Sequence, residues 1–507
     1  MEYLLGIDIG TTSTKTIVCN TNGKIIFSTS EEQNLYSDFP AWAEENPEEW
    51  WENTQKTIKT IFKESEILAD DIKAIGVTGM VPALVLLDKN DNILRRSIQQ
   101  NDARTIKELN YLRSKIDLNN HFDITGGSIN QQLVGPKILW LKENEPEVYK
   151  SIDKIMGSYD YINFKLTGNH VIENNWALES GLLNIKKNTW EKKILDICDI
   201  NEKWLGQIVK SDEIIGSVNK KVEELTGLKE GTPVVGGIAD HVSSAFAAGL
   251  KEEGDLNVKF GGAGDILYSL DKLITDKRLF IDLHADPSRY MINGCMASSG
   301  SLLKWFTNEF CQYENEIVKD ENKSIYDFMS DKAQDIPPGS NGVIILPYFL
   351  GAKTPLHNPQ AKGVIYGLGL HHKKENIYRA IMESVAYGFK HHIEILKDLN
   401  LDIKKVIATD GGAKSPVWRQ ITADVLGESI YHIKEHTGSS IGAAFVAGKG
   451  INLFDNWDDI DKFIEIDSVT EPNEKNHNLY NKYYKLFRDI YNNLEESFIE
   501  SDNIKGK

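Results

Sequence analysis

Cysteine is scarce: Cys19, Cys198, Cys295 and Cys311 are the four in 507 residues. They are scattered, with no C-x-x-C and no metal-type pairing with histidine. This argues against a disulfide or zinc framework and predicts a reduced protein with buried thiols. Positive charge is in deficit, since 57 basic against 75 acidic residues leave a net −18. Non-specific nucleic-acid binding needs a basic face that displaces counterions, so nucleic acid is not an expected partner, nor is an anionic membrane surface. Long apolar runs are missing too. The longest weakly polar stretch, 74–87, has 14 residues and contains Gly and Pro, too short to span a bilayer. The N-terminus has no basic n-region and Asp8 interrupts its apolar stretch, so no signal peptide is expected and the predicted location is cytoplasmic.

What remains is ordinary globular usage, 41% hydrophobic and 26% charged, enough for a large core without staples. The length allows two to four domains. Tyr3–Ile9, 15–19 and 24–27 read as strands joined by the turns Gly10–Thr14 and Thr21–Gly23. Asn46 as cap, Pro47 at the first position and Glu48 and Glu49 in the first turn predict a helix to about Ser65. Ala74–Thr78 reads as a strand, 83–87 and 93–94 as a hairpin, and 99–104 as the opening of a helix. Residues 105–230 read as an inserted layer of helices and loops. Val234–Ile238 is predicted as a strand and 242–249 as a small-residue helix. The second half then repeats the outline: 256–260, Gly261–Gly264, 265–269, with further strands at 343–346 and 405–408. This points to a duplicated α/β unit. Apolar residues at Leu479, Tyr483, Leu486, Ile490 and Leu494 mark an amphipathic terminal helix, frayed from Ser501 to Lys507. His371-His372 and His391-His392 read as surface or helix-face pairs.

Three features carry chemistry. In Asp8-Ile-Gly10-Thr11-Thr12-Ser13-Thr14-Lys15, a glycine turn lets backbone N–H groups converge on an anion, and hydroxyls and an ammonium add donors. Asp8 would repel phosphate unless a cation intervened, so the motif reads as an Mg²⁺-nucleotide site or as a tight hairpin with a satisfied Asp. Gly411-Gly412-Ala413, between a strand and the helix from Pro416, allows close approach of a nucleotide or is a plain turn. Asp240 ends a buried strand, where a carboxylate serves as proton acceptor in phosphoryl transfer to an alcohol, or as a helix cap. There is no G-x-x-x-x-G-K-[ST], no G-x-G-x-x-G in a βαβ context and no H-R-D or D-F-G set, which disfavours P-loop, Rossmann and protein-kinase readings.

Together with Trp42-Ala-Glu44-Glu-Asn-Pro47-Glu-Glu-Trp50, Asn101-Asp102-Ala103-Arg104, Pro136-Lys137-Ile-Leu-Trp140, Leu346-Pro347-Tyr348, Thr354-Pro355, Asn358–Leu368 and Trp418-Arg419-Gln420, these motifs resemble, in order and spacing, the FGGY carbohydrate kinases and within them the xylulokinases. The likeness spans about 3–450. It implies an α/β fold of two actin-like, ribonuclease-H-like domains with ATP and sugar in the cleft between them. The implied division is 1–246, 247–470 and a helical tail, 471–507. The implied reaction is ATP- and Mg²⁺-dependent phosphorylation of a pentulose-like sugar, D-xylulose to D-xylulose 5-phosphate as the first choice. Another ketose or polyol (ribulose, erythritol, glycerol-like) and a non-catalytic nucleotide-binding homologue are the alternatives. The resemblance makes Asp240 the general base and puts Asp8 near the metal. It sets Thr11, Thr12, Ser13, Lys15, Gly261 and Gly262 at phosphate, Gly411, Gly412 and Ala413 at adenosine, and Met80, Val81, Pro82, Asp102, Arg104 and Asp240 at the sugar. Homodimers are common in such relatives. Three positions depart from the pattern. Met80-Val81-Pro82-Ala83 stands where xylulokinases carry Q-M-H-G, Gly261–Gly264 lacks the hydroxyls of G-T-S-G, and His241 follows Asp240 where Asn, Gln or Gly is usual.

Overall fold

The structure, a computed structural model, describes residues 2–321, 323–434 and 438–505. The chain forms two compact α/β units. The first comprises Met1–Lys251, Asp271–Met291 and Thr437–Ile464, and the second Glu252–Leu270, Ile292–His436 and Glu465–Lys507. The units are therefore not the continuous stretches that the motif order implies.

In the first unit, Tyr3–Ile9, Ser13–Asn20 and Ile25–Glu32 form an antiparallel meander. Ile72–Gly79 lies parallel to Tyr3–Ile9, and Pro233–Val235 and Ile238–Ala239 lie parallel to Ile72–Gly79. Ile214–Ser217 closes the edge antiparallel. The expected strand 234–238 is broken at Gly236-Gly237, where Gly237 has φ +87. That left-handed conformation suits glycine and ends the ladder.

Both faces of this sheet are covered. Thr16 Oγ1 meets Thr57 Oγ1 of the helix Pro47–Glu64 at 2.7 Å. That helix starts where expected, with the Asn46 side chain accepting from Glu48 N. The next residue, Ile17, points to the other face and pairs with Gly6. On that face the helix Ser439–Gly450 lies almost on the backbone. A Cβ at Gly6 would meet the Ser440 carbonyl oxygen at 2.0 Å, and one at Gly76, its in-register neighbour, the Ala443 oxygen at 2.0 Å. The helix Asp240–Ala247 packs against the same helix, with Ser243 Oγ donating to Ser439 O at 2.6 Å.

The second unit repeats the strand order. The first sheet reads Ile25–Glu32, Ser13–Asn20, Tyr3–Ile9, Ile72–Gly79, Pro233–Val235, Ile214–Ser217 in space; the second reads Tyr290–Met296, Gly264–Leu270, Asp255–Phe260, Lys405–Thr409, Ile430–Ile433, Ile466–Thr470. The duplication extends to charge. Asp8 sits opposite Lys15 across the first glycine turn, and Lys259 sits opposite Asp265 across the second. The buried helix Lys374–Asp398 carries the core of this unit.

Other expectations change. Residues 99–104 do not open a helix, which starts at Ile106; Asp102 spends its carboxylate on the Ala43 N–H and on Arg104. The hairpin at 83–94 is reduced to a bridge, and Val85–Leu87 pairs with Lys154–Met156 instead. Ile344–Pro347 pairs with Gly363–Tyr366 in a small sheet of its own. His391 and His392 are buried. The terminal helix runs Glu474–Lys505, so it is ordered past Ser501, and 506–507 lie outside the described residues. The four cysteines are free, three buried and Cys295 half-buried. Among the described residues no helix is long and apolar enough to cross a membrane.

Candidate active site

In the first unit, Tyr3–Ile9, Ile72–Gly79 and Ile238–Ala239 are parallel and end at the same level: Asp8 is in register with Thr78, and Ile238 with Thr78. Outside the carboxyl ends of parallel strands is where α/β sheets take ligands. Two carboxylates stand there. Asp240 is the first residue of its helix and its side chain is 38% exposed. Its Oδ1 accepts from His241 N at 2.6 Å. Asp8 is enclosed, and Ser439 Oγ donates to its Oδ2 at 2.5 Å. Burial raises its carboxyl to about 7; the Ser439 hydrogen bond opposes the rise, Asp240 adds to it and Lys15 opposes it. Asp240 and Lys15 thus both act on Asp8.

The turn between the first two strands is clamped from outside. Gly10 N donates to Ser13 O at 3.1 Å, and Gln33 N to Thr12 O at 3.0 Å. Gln33 Nε2 also donates to Gly10 O. Thr12 is exposed and Thr11, Ser13 and Lys15 are half-buried, so the turn offers its donors outward.

The positions expected at the sugar lie deeper. Met80, Val81 and Pro82 are buried, with Met80 O accepting from Ser158 Oγ at 2.9 Å. Asp102 and Arg104 pair at 2.7 Å with side chains 0% and 1% exposed. Arg104 Nη2 also reaches Glu44 at 2.7 Å, and its guanidinium lies 3.6 Å from the Trp42 ring and 4.9 Å from Trp140. Lys137, fully buried, donates to Gln99 O at 2.9 Å and Gln132 O at 3.0 Å; burial lowers its ammonium to about 7. Asp102 is therefore committed to holding Arg104 and the chain at Ala43. Arg104 Nη1, both amide atoms of Gln99 and Gln100 Oε1 are buried without a hydrogen-bond partner. A buried unsatisfied donor is costly, which makes this cluster ready for a polar ligand.

In the second unit, the Gly261 and Gly262 carbonyls accept from Gly300 N and Ser299 N, both at 2.8 Å, which ties the loop to the helix Gly300–Phe310. A Cβ on Gly261 would lie 3.1 Å from Asp410 Oδ2, so this loop adjoins the turn Asp410–Ala413. Gly262 and Gly411 face open space, whereas Gly412 is pressed on Trp418 and Phe260. Ala413 is buried, its carbonyl accepting from Arg419 Nη1 at 2.5 Å.

Sequence reasoning did not find Ser439, Glu179 or Asp282. Ser439 reaches Asp8 only because the Gly6 and Gly76 contacts seat its helix. Glu179, His241 and Asp282, from three distant segments, bring ligand-type atoms within 4.8 Å of one another.

Residues 3–247 match the N-terminal domain and 273–451 the C-terminal domain of the FGGY family of carbohydrate kinases. A xylulose kinase of Staphylococcus epidermidis is 30% identical over 503 residues, 98% of this chain and 97% of the relative. A gluconokinase of Bacillus licheniformis is 28% identical over 504 residues, 99% of this chain and 98% of its own. The crystal structure of xylulose kinase from Rhodospirillum rubrum superposes with a TM-score of 0.91 at 36% identity, covering 98% of this chain and 100% of that one. With two units that share the actin-like, ribonuclease-H-like strand order and with matches over nearly all its length, the chain belongs to the FGGY family of carbohydrate kinases and is a sugar kinase.

Proposed function

We propose that this kinase transfers the γ-phosphoryl group of ATP to a hydroxyl of a pentulose-like sugar, with D-xylulose the first candidate, and that Asp240 is the general base. The observation that carries the reading is the placement of Asp240: a half-exposed carboxylate at the carboxyl ends of three parallel strands, beside a glycine turn that bears Lys15. Asp240 accepts the hydroxyl proton as the sugar oxygen forms its bond to phosphorus and the bond to ADP breaks. In the first unit, Thr11, Thr12, Ser13 and Lys15 hold phosphate oxygens; in the second, Gly261 and Gly262 offer backbone to phosphate and Gly411 leaves room for the nucleoside. Arg104 and Gln99 spend their free donors on sugar hydroxyls, and Met80, Val81 and Pro82 wall that side.

Mg²⁺ fits the residues present. A carboxyl raised by burial and by a second carboxylate lacks a positive neighbour of sufficient charge, and Asp8, oriented by Ser439, is the group that would hold the ion. When bound, Mg²⁺ offsets phosphate charge.

The names of the relatives support xylulose and gluconate as the acceptors to compare. The test is sugar-dependent ADP release over D-xylulose, D-ribulose, gluconate, erythritol and glycerol. D-Xylulose is expected to give the highest kcat/KM, and Asp240→Asn to lower kcat by about 10²–10⁴-fold. A better acceptor elsewhere in the panel would replace D-xylulose, and full activity in Asp240→Asn would remove Asp240 as the base.

A further inference from the structure

Asp240 is held from one side by its neighbour in the chain. His241 donates its backbone N–H to Asp240 Oδ1, and its ring Nδ1 lies 3.5 Å from the same oxygen. The far side of the ring is held by two acids from other elements. Nε2 lies 3.1 Å from Asp282 Oδ2, on the strand Phe280–Leu283, and 3.4 Å from Glu179 Oε1, at the end of the helix Asn174–Glu179. Asn175 Oδ1 accepts from Leu283 N at 3.0 Å and ties that helix to that strand. Among the described residues Asp240 Oδ2 takes no hydrogen bond.

The charges explain why the ring carries two protons. Burial works against an imidazolium, but the carboxylates of Glu179 and Asp282 and the hydrogen bonds to Asp240 and Asp282 outweigh it, so His241 stays charged well above the usual histidine range. Glu179 is pushed up by burial first, opposed by His241 and then raised further by Asp282, Asp240 and Glu173. The charged groups that interact with Asp240 are His241, Asp8 and Glu179.

We propose that His241 is a positioning residue for Asp240: its ring, braced by Asp282 and Glu179, holds the Oδ1 side of the carboxylate and leaves Oδ2 to the substrate hydroxyl. The inference rests on Asp240 being the base. It goes beyond the family pattern, in which this position is usually Asn, Gln or Gly.

The experiment measures kcat, sugar KM and melting temperature, with the best acceptor of the panel, for the wild type, His241→Gln and Asp282→Asn. A misplaced reacting group costs up to about 10²-fold, so kcat is expected to fall by about tenfold or more in both variants while sugar KM and the melting temperature hold. A kcat that falls only together with the melting temperature would mean that His241 only supports the fold, and an unchanged kcat would remove the brace; either result overturns the inference while leaving Asp240 as base. Full activity in Asp240→Asn would instead remove the base reading itself. A readout independent of turnover is the ring titration of His241 by NMR, expected to remain protonated at pH 8 in the wild type and to titrate lower in Asp282→Asn. A neutral ring at pH 7 would overturn the inference. So would stoichiometric zinc that survives dialysis in the wild type and is lost in Asp282→Asn, since a metal would then hold the place of the proton.

Discussion

A methyl group added at Gly412 would lie 2.5 Å from the Trp418 ring and 2.7 Å from Phe260 Cβ, while one added at Gly262 meets nothing within 4 Å. These two glycines therefore do different work. Gly412→Ala is expected to lower stability by about 1–3 kcal/mol through overpacking. Gly262→Ala should leave stability within about 0.5 kcal/mol and, with this loop at phosphate as proposed, raise the KM for ATP. Thermal melts and ATP titrations of both variants check this; an unchanged ATP KM in Gly262→Ala would remove that loop from the phosphate site. The strand-to-helix glycine turn made Gly412 a candidate, and the family resemblance made Gly262 one. Which one faces a ligand and which a tryptophan depends on side chains that arrive from elsewhere. Asp102 shows the same limit: its motif pointed to the sugar, yet its two oxygens are taken by Ala43 N and Arg104.

At the scale of elements, the helix Ser439–Gly450 connects packing to chemistry. Its small residues and the facing Gly6 and Gly76 let two backbones meet, which delivers Ser439 to Asp8. Gly76→Ala drives a Cβ into the Ala443 carbonyl and should cost about 3 kcal/mol. If the helix shifts rather than the chain unfolding, Asp8 loses its donor and kcat falls as well, so melting temperature and kcat in this variant are expected to drop together. Local signals placed several elements well. Asn46 caps the helix from Pro47 because its side chain takes an orphan N–H, and the glycine turns separate strands in both units. They failed at 83–94, where Val85–Leu87 pairs with Lys154–Met156, a partner no local pattern names.

For the whole molecule, acid stability tests a buried group far from Asp240 in sequence. His392 is fully enclosed, with Nδ1 at 2.8 Å from Gly388 O and Nε2 at 2.9 Å from Thr354 Oγ1. Burial lowers its ring from 6.5 to about 4. Between these values the unfolded chain binds a proton that the folded one does not, so stability is complete above pH 6.5 and is lost as the pH falls toward 4. At pH 5 the loss from this group is about 2 kcal/mol. Urea midpoints at pH 7 and pH 5 should therefore separate more in the wild type than in His392→Gln, and equal separations would show that the ring is not held neutral.

The residues by themselves determined the repeated strand–turn–strand plan, because glycine turns and helix caps are local: each acts through neighbours within a few positions; the reaction class followed from motifs whose order and spacing resemble those of the FGGY kinases. The tertiary structure decided the rest. It assigned Asp271–Met291 and Thr437–Ile464 to the first unit, although alternating apolar residues say only that a segment is buried and not against which sheet. It also gathered Glu179 and Asp282 around His241, three residues whose charges interact only once folding has removed the water between them.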